Sequence, residues 1–282
     1  MKLDAHHHLW TYSAQAYDWI GDDMAVLRRD FGPADLVTCL RENGYDAAIA
    51  VQARQTEEET RWLLALAAEC PEIAGVVGWL DLCSPELETA LARWSADPKL
   101  AGLRHVVQAE PDDRFMLRPD FMRGISQLSA YGLVYDLLVF PRQLPAAIEL
   151  VSAFPEQVFV LDHIAKPPIG TRGFQPWADL IRDLATAPQV SCKLSGLVTE
   201  ADWTGWKPDD LYPYLDHVCE VFGPDRLMIG SDWPVCLLAG TYTQVMDTTA
   251  HYLQSRFSGP VLDQVLGDNA ARIYLKRKQR VS

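Results

Sequence analysis

The sequence predicts an α/β protein built as one (β/α)8 TIM barrel, on three observations. Eight short apolar runs recur along the 282 residues, with helical periodicity between them. The runs are almost wholly apolar, as parallel strands covered on both faces should be. No Gly/Ser-rich linker, low-complexity tract or long charge run divides the chain, so residues 1–282 read as a single domain. A doubly wound open sheet is the runner-up, and the count of eight decides for the barrel.

Taken in order, the predicted strands cover residues 3–9, 47–53, 74–80, 100–107, 133–139, 158–164, 190–194 and 226–230. The helices between them have readable ends. Thr56-Glu57-Glu58-Glu59 is a capping box, with Thr56 accepting from the Glu59 amide and Glu59 reaching back. Behind it Trp62, Leu63, Leu66, Ala67 and Cys70 mark one apolar face. Ser84-Pro85 supplies an N-cap and a first-turn proline, after which Leu87, Leu91 and Trp94 repeat at helical spacing. Leu211, Leu215, Val218 and Phe222 form a further stripe, stopped by Gly223-Pro224.

Composition narrows the function. With 25 basic and 38 acidic residues the net charge is −13, which repels a phosphate backbone and argues against nucleic acid. No apolar run approaches the roughly 18–20 residues of a membrane span, and Met1–Lys2–Leu3 begins no targeting signal, so the cytoplasm is the expected compartment. The six cysteines are scattered without a C-x-x-C pair, which reads as reduced, mostly buried thiols. A neutral substrate, or a small anion held by local Arg and Lys, remains compatible with the charge.

In a barrel of this kind active sites lie at the C-terminal strand ends, so polar residues there are candidates. His6 and His8 are the sharpest signal. Strand residues i and i+2 share a face, so Asp4, His6 and His8 are expected to point one way and His7 the other. Two adjacent imidazoles can bind one cation or donate to one oxygen. Three histidines are too few for a tag, and Leu9-Trp10 continues the strand pattern. His163 ends the sixth strand and Asp232 the eighth, in Gly230-Ser231-Asp232-Trp233-Pro234. A helix cap explains Asp232 poorly, since the next helical pattern begins only near Thr241. Asp162 is a candidate orienter of His163.

These segments carry a resemblance. Asp4-x-His6-x-His8-Leu9-Trp10, Asp162-His163-x-x-Lys166-Pro167 and Gly230-Ser231-Asp232-Trp233-Pro234-Val235 resemble the amidohydrolase superfamily, in its lactonase branch related to the Amidohydro_2 family. The stretches Gly75-Val76-Val77-Gly78-Trp79, Gly102-Leu103-Arg104-His105 and Cys192-Lys193-Leu194-Ser195-Gly196 are similar to the sugar-acid lactonases, L-fuconolactonases among them. The resemblance implies hydrolysis of an aldonolactone, such as L-fucono-lactone, to the free acid. Asp232 would activate water and later return its proton to the ring oxygen. His6, His8 and His163 would stabilise the carbonyl oxygen.

If a single divalent ion such as zinc is bound, the resemblance assigns it to His6, His8, His163 and Asp232. A binuclear site would want a bridging Lys or Glu on the fourth strand, and Leu100-Ala101-Gly102-Leu103-Arg104-His105 has neither. That leaves one metal or none, and because the lactone hydrolases the chain resembles include metal-independent cases, no obligatory cofactor is expected. Candidate substrate contacts are Gln52, Arg104, His105, Asp136 and Trp233, with Trp233 as the aromatic face; alternation lets only one of Arg104 and His105 look inward. Arg54, Lys166 and Lys193 also fall near strand ends, the lysines reading equally well as salt-bridged. Two competing readings are a zinc-dependent decarboxylase or other metal-dependent hydrolase of the superfamily, and a binding protein on a catalytically dead barrel. A small-molecule lactone is the expected partner, on a monomer or homodimer; Trp203 and Trp206 are candidates for a subunit contact or a loop over the site.

Overall fold

A computed structural model, which describes residues 1–275, contains all eight strands, parallel and in sequential order around one sheet. They are β1 (Leu3–His7), β2 (Ala47–Val51), β3 (Ile73–Gly78) and β4 (Leu100–His105), then β5 (Val134–Leu137), β6 (Phe159–Leu161), β7 (Val190–Leu194) and β8 (Leu227–Ile229). The main helices alternate with them: α1 (Pro33–Asn43), α2 (Glu57–Glu69), α3 (Leu87–Trp94) and α4 (Pro119–Leu128), then α5 (Leu144–Ala153), α6 (Trp177–Ala185), α7 (Pro208–Phe222) and α8 (Tyr242–Arg256).

The ring closes just past the strand ends. His7 and Trp233 form a parallel bridge, the His6 carbonyl accepts from the Asp232 amide at 2.8 Å, and the Trp233 carbonyl accepts from the His8 amide at 2.6 Å. This closure excludes the doubly wound alternative. It also sews together the two segments that carry His6, His8 and Asp232.

Strand alternation sorts the core into two layers. Side chains such as Leu3, Ala5, Ile49, Val77, Val134 and Val160 fill the barrel interior, closed at the N-terminal strand ends by Ala270 and Tyr274. The helices bury Leu63, Leu91, Leu150, Ile181, Leu215 and Leu253 against the outside of the sheet. Each fully buried side chain of this size contributes about 1.5–3 kcal/mol over leaving it in water.

The element ends differ from expectation in instructive ways. Thr56 does cap α2, accepting from the Glu59 amide at 3.2 Å. Glu59 does not reach back to it; its carboxylate accepts from the Ala53 and Arg54 amides at 2.9 and 2.6 Å, because the loop after β2 turns those donors inward. Helix α3 starts at Leu87, and Ser84 instead closes a turn by accepting from the Glu86 amide. Strand β6 stops at Leu161 rather than continuing to 164, because His163, Ile164, Ala165 and Lys166 have φ of 53°, 48°, 59° and 50°. Trp203 and Trp206 are half-buried, their indoles donating to the Thr199 and Ala239 carbonyls. Among the described residues all six cysteines are free thiols, and no helix is long and apolar enough to cross a membrane.

Candidate active site

A bulge in β1 decides which way the site residues face. Asp4 pairs with Ala48 and His7 with Ala50, so β1 carries one residue more than β2 over this stretch. Asp4 consequently turns outward to the helix layer, against the expectation that it shares a face with His6. It accepts from Ser231 N and Oγ at 2.9 and 2.6 Å and from the Tyr242 hydroxyl at 3.2 Å. Burial pushes its carboxyl up to about 6, with those hydrogen bonds opposing. The extra residue leaves His6 and His8 facing the barrel axis, their Nε2 atoms 3.2 Å apart.

Asp232 meets them there. Its Oδ1 lies 3.4 Å from His8 Nε2 and 3.8 Å from both His6 Nε2 and His163 Nε2. Burial would raise its carboxyl, but the surrounding imidazoles outweigh that and hold it below the usual carboxylate range. Asp232 adopts φ 56°, and His163 belongs to the left-handed turn after β6, so two of the four groups rest on backbone that costs about 1–2 kcal/mol per residue. His163 Nδ1 is 2.9 Å from Ser195 Oγ, and burial lowers its pKa to about 4, leaving it neutral at pH 7.

Proton positions follow from the partners. His8 Nδ1 lies 2.8 Å from the Val51 carbonyl, which can only accept, so Nδ1 carries a proton and Nε2 is the atom turned toward the site. His6 Nδ1 has Asp162 Oδ1 at 3.3 Å and Lys193 Nζ at 3.2 Å. A proton on Nδ1 satisfies Asp162 and frees the Nε2 lone pair; a bond from Lys193 instead puts the hydrogen on Nε2.

His6 borders a buried ionic layer. Arg104 donates to Gln52 Oε1 from Nε and Nη2 at 3.0 and 2.7 Å, and to Asp162 Oδ2 from Nη1 at 2.9 Å. Lys193 Nζ sits 2.5 Å from Asp136 and 2.9 Å from Asp162, and the Tyr274 hydroxyl donates to Asp136. Asp162, the candidate orienter of His163, thus serves His6, Arg104 and Lys193 instead. Burial drives the Asp136 carboxyl up to about 6 against the pull of Lys193.

Above this layer opens a cavity of about 520 Å³, floored by His8, Arg104, His163 and Asp232, with His6 just below. Several predicted substrate contacts do not line it. Gln52 and Asp136 are buried supports. His105 points outside the barrel, between Glu110 at 2.7 Å and the Trp79 indole at 3.3 Å, because alternation gives the inward face to Arg104. Trp233 packs edge-on against Phe31 rather than over the cavity. The aromatic wall is Trp19, which arrives with Gln15 and Asp18 on the long loop after β1; Arg54, Gln55, Gln108 and Lys166 line other sides. Sequence reasoning missed the β1 loop and Tyr274, since nothing in their local pattern marks them, and it gave no role to Ser195 within the stretch 192–196.

The donor set suits a metal. His6 Nε2, His8 Nε2 and Asp232 Oδ1 define edges of 3.2, 3.4 and 3.8 Å, near the roughly 3.3–3.4 Å separating ligands of a tetrahedral zinc bound at about 2.0–2.1 Å. His163 groups separately, with His6 and Asp162.

With this geometry in place the comparison with known proteins is direct. The profile of the amidohydrolase family Amidohydro_2 matches residues 3–276. The chain belongs to that family. It is 43% identical to an L-fucono-1,5-lactonase of Burkholderia multivorans, over 97% of this chain and 96% of the relative. It is 39% identical to an L-fucono-1,5-lactonase of Burkholderia ambifaria, over 97% and 95%. A crystal structure of an amidohydrolase from Burkholderia multivorans with bound zinc superposes with a TM-score of 0.93 at 43% identity, covering 97% of this chain and 99% of that one. On β4, beside these histidines, this Amidohydro_2 protein carries Arg104 rather than a Lys or Glu.

Proposed function

We propose that the protein hydrolyses a sugar-acid lactone, L-fucono-lactone or a similar aldonolactone, to the free acid. The observation that supports this most is the convergence of Asp232 and three imidazoles at the floor of a cavity with both polar and aromatic walls. The names of the two Burkholderia relatives point the same way.

In this reading the lactone carbonyl oxygen enters between His163 and His6. Both imidazoles can present Nε2–H there, His163 when Ser195 holds its Nδ1 and His6 when Lys193 does. Donors aimed at a developing oxyanion are worth about 10²–10³ in rate each. His8, whose N–H is committed to Val51, accepts instead, and so positions a water between its Nε2 and Asp232. Asp232, ionised at neutral pH, takes a proton from that water as it adds to the carbonyl carbon. Arg104, locked by Gln52 and Asp162, supplies a fixed positive charge beside the same carbonyl. A divalent ion, when bound by His6, His8 and Asp232, would supply Lewis-acid polarisation of the carbonyl.

The test is acid release from a panel of aldonolactones, run with and without exhaustive chelation. Turnover of at least one member that persists after chelation is expected. Silence on the whole panel would end the lactonase reading, and loss on chelation with rescue by zinc would make the metal obligatory.

A further inference from the structure

Resting on the lactonase reading, we propose that Lys166 is the acid that protonates the ring oxygen as the lactone opens. Lys166 lines the same cavity as His163, Arg104 and Asp232. It reaches that position by an unusual path. Residues 163–166 all have positive φ, and the turn is closed by the Lys166 amide donating to the His163 carbonyl at 2.8 Å. None of the four is glycine, so the turn carries a cost of about 1–2 kcal/mol per residue. Its outcome is that His163 and Lys166 both border one cavity.

The ammonium is held in place. Its Nζ lies 3.5 Å from Glu200 and 5.6 Å from the centre of the Phe140 ring, with the side chain only 16% exposed. The neighbouring groups are poorly suited to give up a proton. The Nδ1 atoms of His8 and His163 are committed to Val51 and Ser195, and a guanidinium such as that of Arg104 does not deprotonate in a protein. Asp232 holds the proton it took from water with its Oδ1 3.4–3.8 Å from the three imidazoles, whereas Lys166 stands on another part of the cavity wall.

The step balances as follows. Water forms a bond to the carbonyl carbon and loses a proton to Asp232. The carbon–ring-oxygen bond then breaks, its electron pair goes to the ring oxygen, and that oxygen takes a proton from Lys166. The neutral amine recovers a proton from Asp232 through solvent, and the new carboxylic acid releases its own to water.

The test uses the full chain and two substrates, an aldonolactone the unaltered enzyme opens and the same compound with sulfur as the ring atom. A thiol leaves as thiolate, with a pKa near 8.5, and needs no acid at pH 8. Lys166→Met removes the proton; Lys166→Arg keeps the charge beside Glu200 without a transferable proton. Both are expected to cut kcat on the oxygen lactone at least 100-fold. On the thiolactone the loss should stay under about fivefold, the difference that separates an acid from a support. Equal losses on both substrates, a KM increase with kcat kept, or full activity of Lys166→Arg would each overturn the assignment. So would failure of the unaltered enzyme to open the thiolactone. If the unaltered protein opens no aldonolactone at all, the lactonase reading falls instead.

Discussion

The two ends of the barrel interior are built on opposite terms. At the N-terminal end Leu3, Ala5, Ile49, Val134 and Val160 pack against Ala270 and Tyr274, and none of these residues has positive φ. At the C-terminal end the interior holds His6, His8, His163, Asp162, Arg104 and Asp232, nearly all below 5% exposure. Five of the six non-glycine residues with positive φ among the described ones, 163–166 and 232, sit at this end. One end gathers burial energy and the other stores strain and charge. The lesson is that the polar end can be held in costly geometry because the apolar end is not, so the two should respond differently to substitution.

Asp232→Asn should show the largest effect, a fall in kcat of about 10²–10⁴ on any lactone the protein opens, with the melting temperature nearly unchanged. Loss of fold instead would erase the contrast between the two ends. The converse is Leu3→Ala, which hollows the apolar end. A cost of about 2–5 kcal/mol in urea unfolding is expected, with kcat of the remaining folded protein within twofold.

Glu59 sharpens the comparison through pH, because it joins the loops after β1 and β2 by accepting from the Ala53 and Arg54 amides and the Tyr17 hydroxyl. Burial raises its carboxyl from 4.5 to about 7. A folded-state pKa above the unfolded one means stability is full below pH 4.5 and is lost as pH rises through 7. That loss amounts to about 3 kcal/mol at about 1.4 kcal/mol per unit. Glu59→Gln should flatten the difference between unfolding curves at pH 5 and pH 8; an unchanged slope would refute the linkage. The smallest expected effect is Gly196→Ala. A Cβ there would lie 2.5 and 2.7 Å from two atoms of the His163 ring, at φ 63°. About 1–3 kcal/mol of stability should be lost, with at least a tenfold drop in kcat from the displaced imidazole. Unchanged kinetics would show that His163 need not be held by its Ser195–Gly196 seat.

Local patterns were enough to locate the strands, the Thr56 cap and the α7 stripe ending at Gly223, and to show that only one of Arg104 and His105 could face inward, though not which one. Each depends only on the period of a strand or helix, or on the backbone needs of its ends, and those act over a few residues. The outward Asp4, the support of His6 by Asp162 and the Lys193–Asp136–Tyr274 chain were not legible. Neither was Trp19 taking the place expected for Trp233. A single extra residue in β1 breaks the parity between Asp4 and the histidines after it, and only pairing with β2 reveals that residue. The ionic layer joins positions from 31 to 138 residues apart, which meet because the sheet closes on itself. By itself, then, the sequence determined the barrel and the residue types at its mouth, since periodicity is written locally. The tertiary structure decided which of those side chains share a pocket, since register, backbone handedness and ring closure are properties of strands already paired.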